Sequence, residues 1–511
     1  MSDRRPASVE SSADAPGVGI VLLHSQINLY LALGERLTRA GARVRYYVRT
    51  EAERDAVAGR LDAAQRDAVV LCDRIEAEID APPRPRDALV AEARALEGRI
   101  GETINQVLLT HRHLGRGYSP GSFRYPRNRR ICEAGYWRQL QAVVAQIEFW
   151  EREIADHRLA LVIDGGKEAA VACRAAGVAF RWLIYARYKD HRAWAVDEYQ
   201  SLPEVARRFE AVEPGSVEPA TPEQYFGAAQ KIGLFWRRQT WPSLLVRVAR
   251  NLTLGVVRDV ARRRWRGLSL ENYVGYPVRI YRASRAIRGL SRETVESLKG
   301  RTYVYLPFQK EPEQALLMAA PEFTDQLAIA IEISRQLPAG VLLAISEHPY
   351  GIGRRPADYY EQLAALPNVV FFSFEESPLA RIAGSLLTAT ISGTAAFEAA
   401  AMGKPAMVFN ARSVPAFLPH VFVAERDGTV GEIVHRVLDG AVDAERARVD
   451  GARFQEALRR ASFSLGAYGV HTSERQGAAP TEELVMTLYD ALCDSAPDAL
   501  AALHPAEESG R

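Results

Sequence analysis

The chain has 511 residues, too many for one ordinary hydrophobic core, so at least two domains are expected. With 48% hydrophobic and 25% charged residues it is globular, and 65 basic against 63 acidic side chains leave no global field to attract nucleic acid. Four cysteines, Cys72, Cys132, Cys173 and Cys493, lack CxxC spacing, which excludes a disulfide frame or a thiolate metal site and predicts free thiols in a reducing compartment.

The opening MSDRRPASVESSADAPG is polar, and residues 1–17 are expected to be disordered. Val18 to Leu23 reads as a strand too short for a signal peptide, and no run of about 18 apolar residues exists to span a bilayer. A helix from Leu29 to Ala40 ends at Gly41, and Val44 to Val48 returns as a strand. This βαβ start belongs to an open, mostly parallel sheet. Ala68 to Cys72 is a third strand, and 85–112 and 134–156 carry helical periodicity. Leu159 to Ile163, the turn Asp164-Gly165-Gly166, a helix from Lys167 to Ala176 and a strand from Ala179 to Tyr185 complete a first α/β domain over 18–234.

Residues 235–300 form a helical connector of different composition. From Trp236 to Gly267 nine arginines face the single Asp259, while Leu244, Leu245, Val248, Leu252, Val256, Val257 and Val260 recur at helical spacing. Two readings stand: an amphipathic helix lying on an anionic membrane surface, and an interdomain helix with solvated arginines.

A second α/β domain spans 301–440. Strands are predicted at Tyr303 to Pro307, Val341 to Ser346, Val369 to Ser373, Leu386 to Ile391 and Ala406 to Phe409, separated by helices. Helices fill 441–494, the last of them, Thr481 to Cys493, able to pack back on the first domain, and 495–511 is expected to be disordered.

Ligands of parallel sheets gather outside the carboxyl ends of the strands. There the second domain carries Phe308-Gln309, Ser346-Glu347-His348-Pro349, Ser373 to Pro378, and Ser392-Gly393-Thr394. The last opens a small-residue helix, so unpaired N–H groups are expected to meet a phosphate, with Ser392 and Thr394 adding hydroxyls and Gly393 admitting close approach. Glu398, one turn on, is placed to accept from a ribose. The alternative for the turn is a hydroxyl-capped helix with Glu398 solvated. Pro349 fixes the chain after His348, whose imidazole suits a leaving phosphate.

The HP pair and the later S-G-T-x-x-x-E-A-x-x-x-G-K-P resemble bacterial capsule and surface-polysaccharide glycosyltransferases of GT-B type. These include Kdo-transferring capsule proteins and, more distantly, sialyl- and polysialyltransferases. The resemblance is good over about 302–440, loose over 18–190 and weak over 191–300. It implies a GT-B fold, two Rossmann-like doubly wound parallel-sheet domains facing a cleft. It further implies a nucleotide-sugar co-substrate, CMP- or UDP-linked, held by Gln309, Glu347, Pro349, Ser392, Gly393, Thr394 and Glu398. Leu306-Pro307-Phe308-Gln309 resembles the family's strand-end glutamine. Asp164-Gly165 resembles the acidic-Gly motif that supplies the base, though Ile163 stands where the sialyltransferases have a second acid. Ser346-Glu347 replaces the family's usual Lys before HP.

Asp164 and His348 are therefore the expected catalytic pair. His24, Arg187 and Lys189 are candidate acceptor contacts, with His24 a second candidate base. The expected activity is metal-independent transfer of a sugar to a surface or capsular polysaccharide or a glycolipid acceptor. It is placed in the cytoplasm, with peripheral contact to the anionic inner face of the membrane through 236–267 and with no resident cofactor and no nucleic-acid partner. A nucleotide-sugar epimerase and a non-catalytic polysaccharide assembly or binding protein remain as alternatives.

Overall fold

The structure is a computed structural model that describes residues 15–22, 26–111, 114, 122–123, 129–218, 239–261, 268–311, 313–466 and 479–503. His24, Arg237, Arg238 and 262–267 lie outside the described residues.

Two seven-stranded sheets organise the chain. The first contains β1 (Gly17–Val21), β2 (Arg43–Val48), β3 (Val69–Leu71), β4 (Leu159–Ile163), β5 (Ala179–Tyr185) and β6 (His191–Ala195). The second contains β7 (Ser291–Glu293), β8 (Thr302–Pro307), β9 (Val341–Ser346), β10 (Val369–Phe372), β11 (Leu387–Thr390), β12 (Ala406–Val408) and β13 (Val421–Val423). A last strand, β14 (Phe463–Ser464), returns to the first sheet.

The first sheet has the order β14-β6-β5-β4-β1-β2-β3, parallel from β3 to β5, with β6 and β14 antiparallel at the edge. The second runs β13-β12-β11-β8-β9-β10-β7 and is parallel throughout. Counted from β1 and from β8, the parallel strands follow the doubly wound orders 3-2-1-4-5 and 3-2-1-4-5-6. Each sheet therefore has a switch point, between β1 and β4 and between β8 and β11, where crevices open for ligands.

Period-two burial makes both faces of each sheet apolar. Val21, Tyr47 and Val162 enter one core cluster of the first domain, while their neighbours Ile20, Tyr46 and Leu161 enter the opposite one. In the second domain Val304 and Leu306 face one cluster and Tyr303 and Tyr305 the other. The latter cluster is shared between domains, because Ile184, Val205 and Phe209 of the first pack in it with Ala399 and Phe454. Arg453 ties this seam by donating to the carbonyls of Val212 (2.8 Å) and Phe209 (3.1 Å).

The described structure differs from the sequence reading at several joins. β7 extends the second sheet, and Ile287 of the helix Tyr276–Leu290 is buried in that domain's core, so the connector's last part belongs to the second domain. The helix Glu482–Ser495 buries Leu488 and Leu492 in the first domain's core, and Trp194 donates to the carbonyl of Leu488 at 3.4 Å. Residues 495–503, expected to be disordered, continue into the helix Pro497–Leu500 with Leu500 buried. The helical stretch expected over 85–112 breaks into Arg86–Ile100 and Ile104–Thr110, where Gly101 turns left-handed and Thr103 caps the second piece through a capping box. All four cysteines are buried and unbridged.

Candidate functional site

The switch point of the second sheet gathers the motif residues. Gln309, just past β8, reaches across to the turn after β11. With its carboxamide oxygen turned to the turn, that oxygen accepts from the N–H groups of Ser392 (3.0 Å) and Gly393, and its nitrogen donates to Ser392 Oγ at 3.3 Å. Thr390 Oγ1 also accepts from the Gly393 N–H at 3.1 Å. A Cβ on Gly393 would lie 2.6 Å from Thr390 Oγ1 and 2.8 Å from the carboxamide end of Gln309, so any larger residue would push these two side chains off the turn. The N–H groups expected to stand open at Ser392 and Gly393 are thus held by protein partners in this state. The helix Thr394–Ala401 has Gly393 as its N-cap residue with no side-chain cap bond, so the hydroxyl-capped alternative is not what forms.

His348 lies beyond the end of β9 and is half-buried. Its carbonyl accepts from the Gly351 N–H at 2.8 Å, closing a turn with Pro349 at the second position, where its fixed φ belongs. The Tyr350 N–H donates to His348 Nδ1 at 3.1 Å. Nδ1 is therefore the acceptor, and in the neutral ring the proton sits on Nε2. Burial, reinforced by Arg355, Lys310 and Arg354, pushes the imidazole's pKa down against the pull of Glu347, which favours that neutral form.

Glu347 does not present itself to a nucleotide. Its side chain is completely buried, accepting from Arg355 Nε (3.0 Å) and Nη2 (2.9 Å), from Tyr360 (2.7 Å) and from the His348 N–H (2.6 Å). This corrects the expectation from the sequence: the carboxylate positions the His348 turn from behind. Arg355 also donates to the Gln309 carbonyl at 2.6 Å and pairs with Glu311 at 2.6 Å. A continuous hydrogen-bonded chain consequently runs from His348 through Glu347, Arg355 and Gln309 to Ser392. Arg355 and Glu311 carry no motif, and only their spacing after the strand-end loops marks them in the sequence.

Glu398 projects from the helix Thr394–Ala401 and is pushed up to about 7 by burial, with Arg187 opposing. Arg187 comes from the first domain, at a left-handed φ of 62° in the loop after β5. Its charge feels Glu313 and Glu398 of the second domain, while burial lowers its pKa. The structure thus brings Arg187 of the first domain close to the helix Thr394–Ala401 of the second. Lys189 is exposed, with its Nζ 5.5 Å from the Tyr188 ring centroid.

At the first switch point Asp164 follows β4 with φ 63°, succeeded by Gly165 at 109° and Gly166 at 78°. Asp164 is 4% exposed and accepts from the Tyr30 hydroxyl on the helix Ile27–Arg39. Burial lifts its carboxyl to about 7 against the Tyr30 hydrogen bond and the charge of Arg49. It does not cap the following helix, Gly166–Ala176, whose N-cap residue is Gly165. Among the described residues no group of three His, Cys, Asp or Glu side chains clusters as metal ligands would.

No protein-family model and no curated protein sequence matches the chain. Solved structures do. The chain's own topology, two doubly wound parallel-sheet domains, is that of a GT-B fold. A UDP-GlcNAc 2-epimerase from Neisseria meningitidis is 10% identical, covering 87% of this chain and 98% of its own, with a TM-score of 0.26. The β-Kdo 2,4-transferase KpsC of Thermosulfurimonas dismutans is 14% identical over 54% of this chain and 78% of its own, at 0.27. A UDP-glucosyltransferase from Polygonum tinctorium is 11% identical over 94% and 99%, at 0.24. Scores this low carry no residue correspondence, so the chemistry rests on the side chains described above.

Proposed function

We propose that this protein is a glycosyltransferase that moves a sugar from a nucleotide-sugar donor to a surface or capsular polysaccharide or a glycolipid acceptor. The observation that carries the reading is the hydrogen-bonded chain from His348 to Ser392 across the switch point of the second sheet. It holds an imidazole N–H donor and a hydroxyl-bearing turn at the edge where a nucleotide's phosphates would lie. In this reading the nucleotide, CMP- or UDP-linked, meets His348, Ser392, Gly393 and Thr394, and Glu398 receives the ribose. The acceptor enters from the first domain beside Arg187. Donation from His348 Nε2 and from the turn offsets the leaving phosphate's charge in a metal-independent transfer.

A thermal-shift series with CMP, UDP, GDP and dTDP tests this. One nucleotide at about 100 times its dissociation constant is expected to stabilise the protein by ~2.7 kcal/mol. Absence of a shift with every nucleotide would favour the non-catalytic binding protein.

The connector supports a membrane-borne acceptor over an epimerase, which needs none. Nine of the fourteen large apolar side chains exposed among the described residues lie within 241–270, including Val246 and Leu254, each 68% exposed. Asp259, the one acidic residue among the nine arginines, accepts from Tyr273 at 2.9 Å. Many exposed apolar side chains within a basic stretch of sequence fit an anionic lipid surface. No helix among the described residues is long and apolar enough to cross a membrane. The protein is expected to pellet with vesicles containing roughly a quarter phosphatidylglycerol, less in high salt, and not with phosphatidylcholine alone. Val246→Glu with Leu254→Glu should abolish pelleting; vesicle binding unaffected by lipid charge, salt and these substitutions would retire the assignment.

A further inference from the structure

A cavity of about 450 Å³ opens at the carboxyl ends of β1 to β4, within the range of small-ligand sites. Arg49 and Thr50 after β2, Asp73 after β3 and Gly165 to Glu168 after β4 form its wall, and Met318 of the second domain stands opposite. This is the first domain's edge turned towards the donor domain.

Four carboxylates line this cavity, and they differ in what they already bind. Glu53 accepts from the N–H groups of Arg49 (3.1 Å) and Thr50 (3.2 Å), completing a capping box. Asp73 accepts from the Ile75 N–H at 3.0 Å. Glu76 has a partner of its own. Glu168, the third residue of the helix Gly166–Ala176, is 7% exposed, and its Oε1 has no hydrogen-bond partner. A buried carboxylate oxygen without a donor is costly unless a ligand supplies one. Asp164, by contrast, is not on the cavity wall and already accepts from Tyr30.

We infer that this cavity seats the acceptor's hydroxyl-bearing sugar and that Glu168 is the general base of the transfer. The inference rests on the glycosyltransferase reading. The acceptor O–H gives its proton to Glu168 Oε1 while its oxygen bonds to the anomeric carbon of the donor. The bond from that carbon to the nucleotide's phosphate oxygen breaks, and its electron pair leaves on the phosphate. One displacement inverts the anomeric centre. Burial holds Glu168 at about 7, Asp73 raising it further while its own backbone N–H, Arg49 and Lys167 lower it. The proton acceptor is therefore available above that pH and lost below it.

The test uses the full chain and a panel of UDP-, GDP-, dTDP- and CMP-sugars, with released nucleotide measured as water serves as acceptor. Glu168→Gln is expected to lower release by about 100- to 10,000-fold and to remove the acid limb of the pH profile. Its nucleotide thermal shift should stay intact. Glu168→Asp should recover part of the rate, which separates chemistry from folding. Asp164→Asn should keep the acid limb whatever its effect on rate. Wild-type rate and limb in Glu168→Gln, or loss of the limb only in Asp164→Asn, would overturn the assignment. So would a wild-type protein that binds a nucleotide sugar but releases nothing. A wild type that binds no nucleotide fails the glycosyltransferase reading itself, and the base assignment with it.

Discussion

His348→Ala is expected to cut nucleotide-sugar turnover by about 100- to 1,000-fold while leaving thermal stability close to wild type. The imidazole's Nδ1 is occupied by the Tyr350 N–H, so Nε2 carries the proton and has no second tautomer to fall into. Burial and three nearby cations keep the ring neutral, so it donates without carrying a charge into the ground state. Negative charge grows on the leaving phosphate as the glycosidic bond breaks, and a donor fixed beforehand gains most at that moment. The loss should therefore fall mainly on kcat, with KM changed little. His348→Gln, which keeps an N–H donor on a different frame, should regain only part. Undiminished turnover in the alanine variant would remove the donor-site assignment.

Arg355→Met should be the most damaging single change to stability, at about 3–5 kcal/mol, read from the shift of a denaturant unfolding midpoint. The guanidinium is 1% exposed, pairs with Glu311 at 2.6 Å and with Glu347 at 2.9 Å, and lies 5.1 Å from the Tyr359 ring centroid. Methionine matches its bulk but leaves two carboxylates buried without their cation. Lysine restores the charge without the fork that spans Glu347, Glu311 and the Gln309 carbonyl, so Arg355→Lys should recover little. Adding Glu311→Gln and Glu347→Gln to Arg355→Met should return much of the lost stability, because the uncompensated charges go with them. A midpoint unchanged by Arg355→Met would show that water or rearrangement replaces the pair. Since this arginine joins the His348 turn to Gln309, the destabilised variant should also bind nucleotide weakly.

The fold was legible where strands are long and apolar. Leu159–Ile163, Ala179–Tyr185 and Val341–Ser346 form as the hydrophobic pattern predicts, since buried parallel strands read as near-continuous apolar runs. β7, β13 and β14 were not legible, being two or three residues long and defined by their neighbours in the sheet. The turns at Asp164, His348 and Ser392 were read from local chemistry, and each does stand at a strand's carboxyl end. What side chains do there was less readable. Glu347 looks like a ligand-binding acid until Arg355 and Tyr360, eight and thirteen residues on, fold over it. Asp164 looks open until Tyr30, 134 residues earlier in the chain, closes on it. Glu168 hides in a helix pattern, because a missing hydrogen-bond donor leaves no mark in a sequence.

The return of β14 and the helix Glu482–Ser495 to the first sheet has a bearing on synthesis. The first domain's edge and one of its core faces stay bare until residues near 500 are made, while the second domain lies wholly inside that interval. At a ribosome's pace of ~5–20 residues per second, some 300 residues take roughly 15–60 s. For that time the apolar side chains of Ile27–Arg39 and β6 await their cover, so the nascent chain is at its most vulnerable to aggregation and proteases before the helix Glu482–Ser495 emerges. Stop codons or frameshifts late in the message should consequently be as harmful as early ones, although they spare every residue of the candidate site.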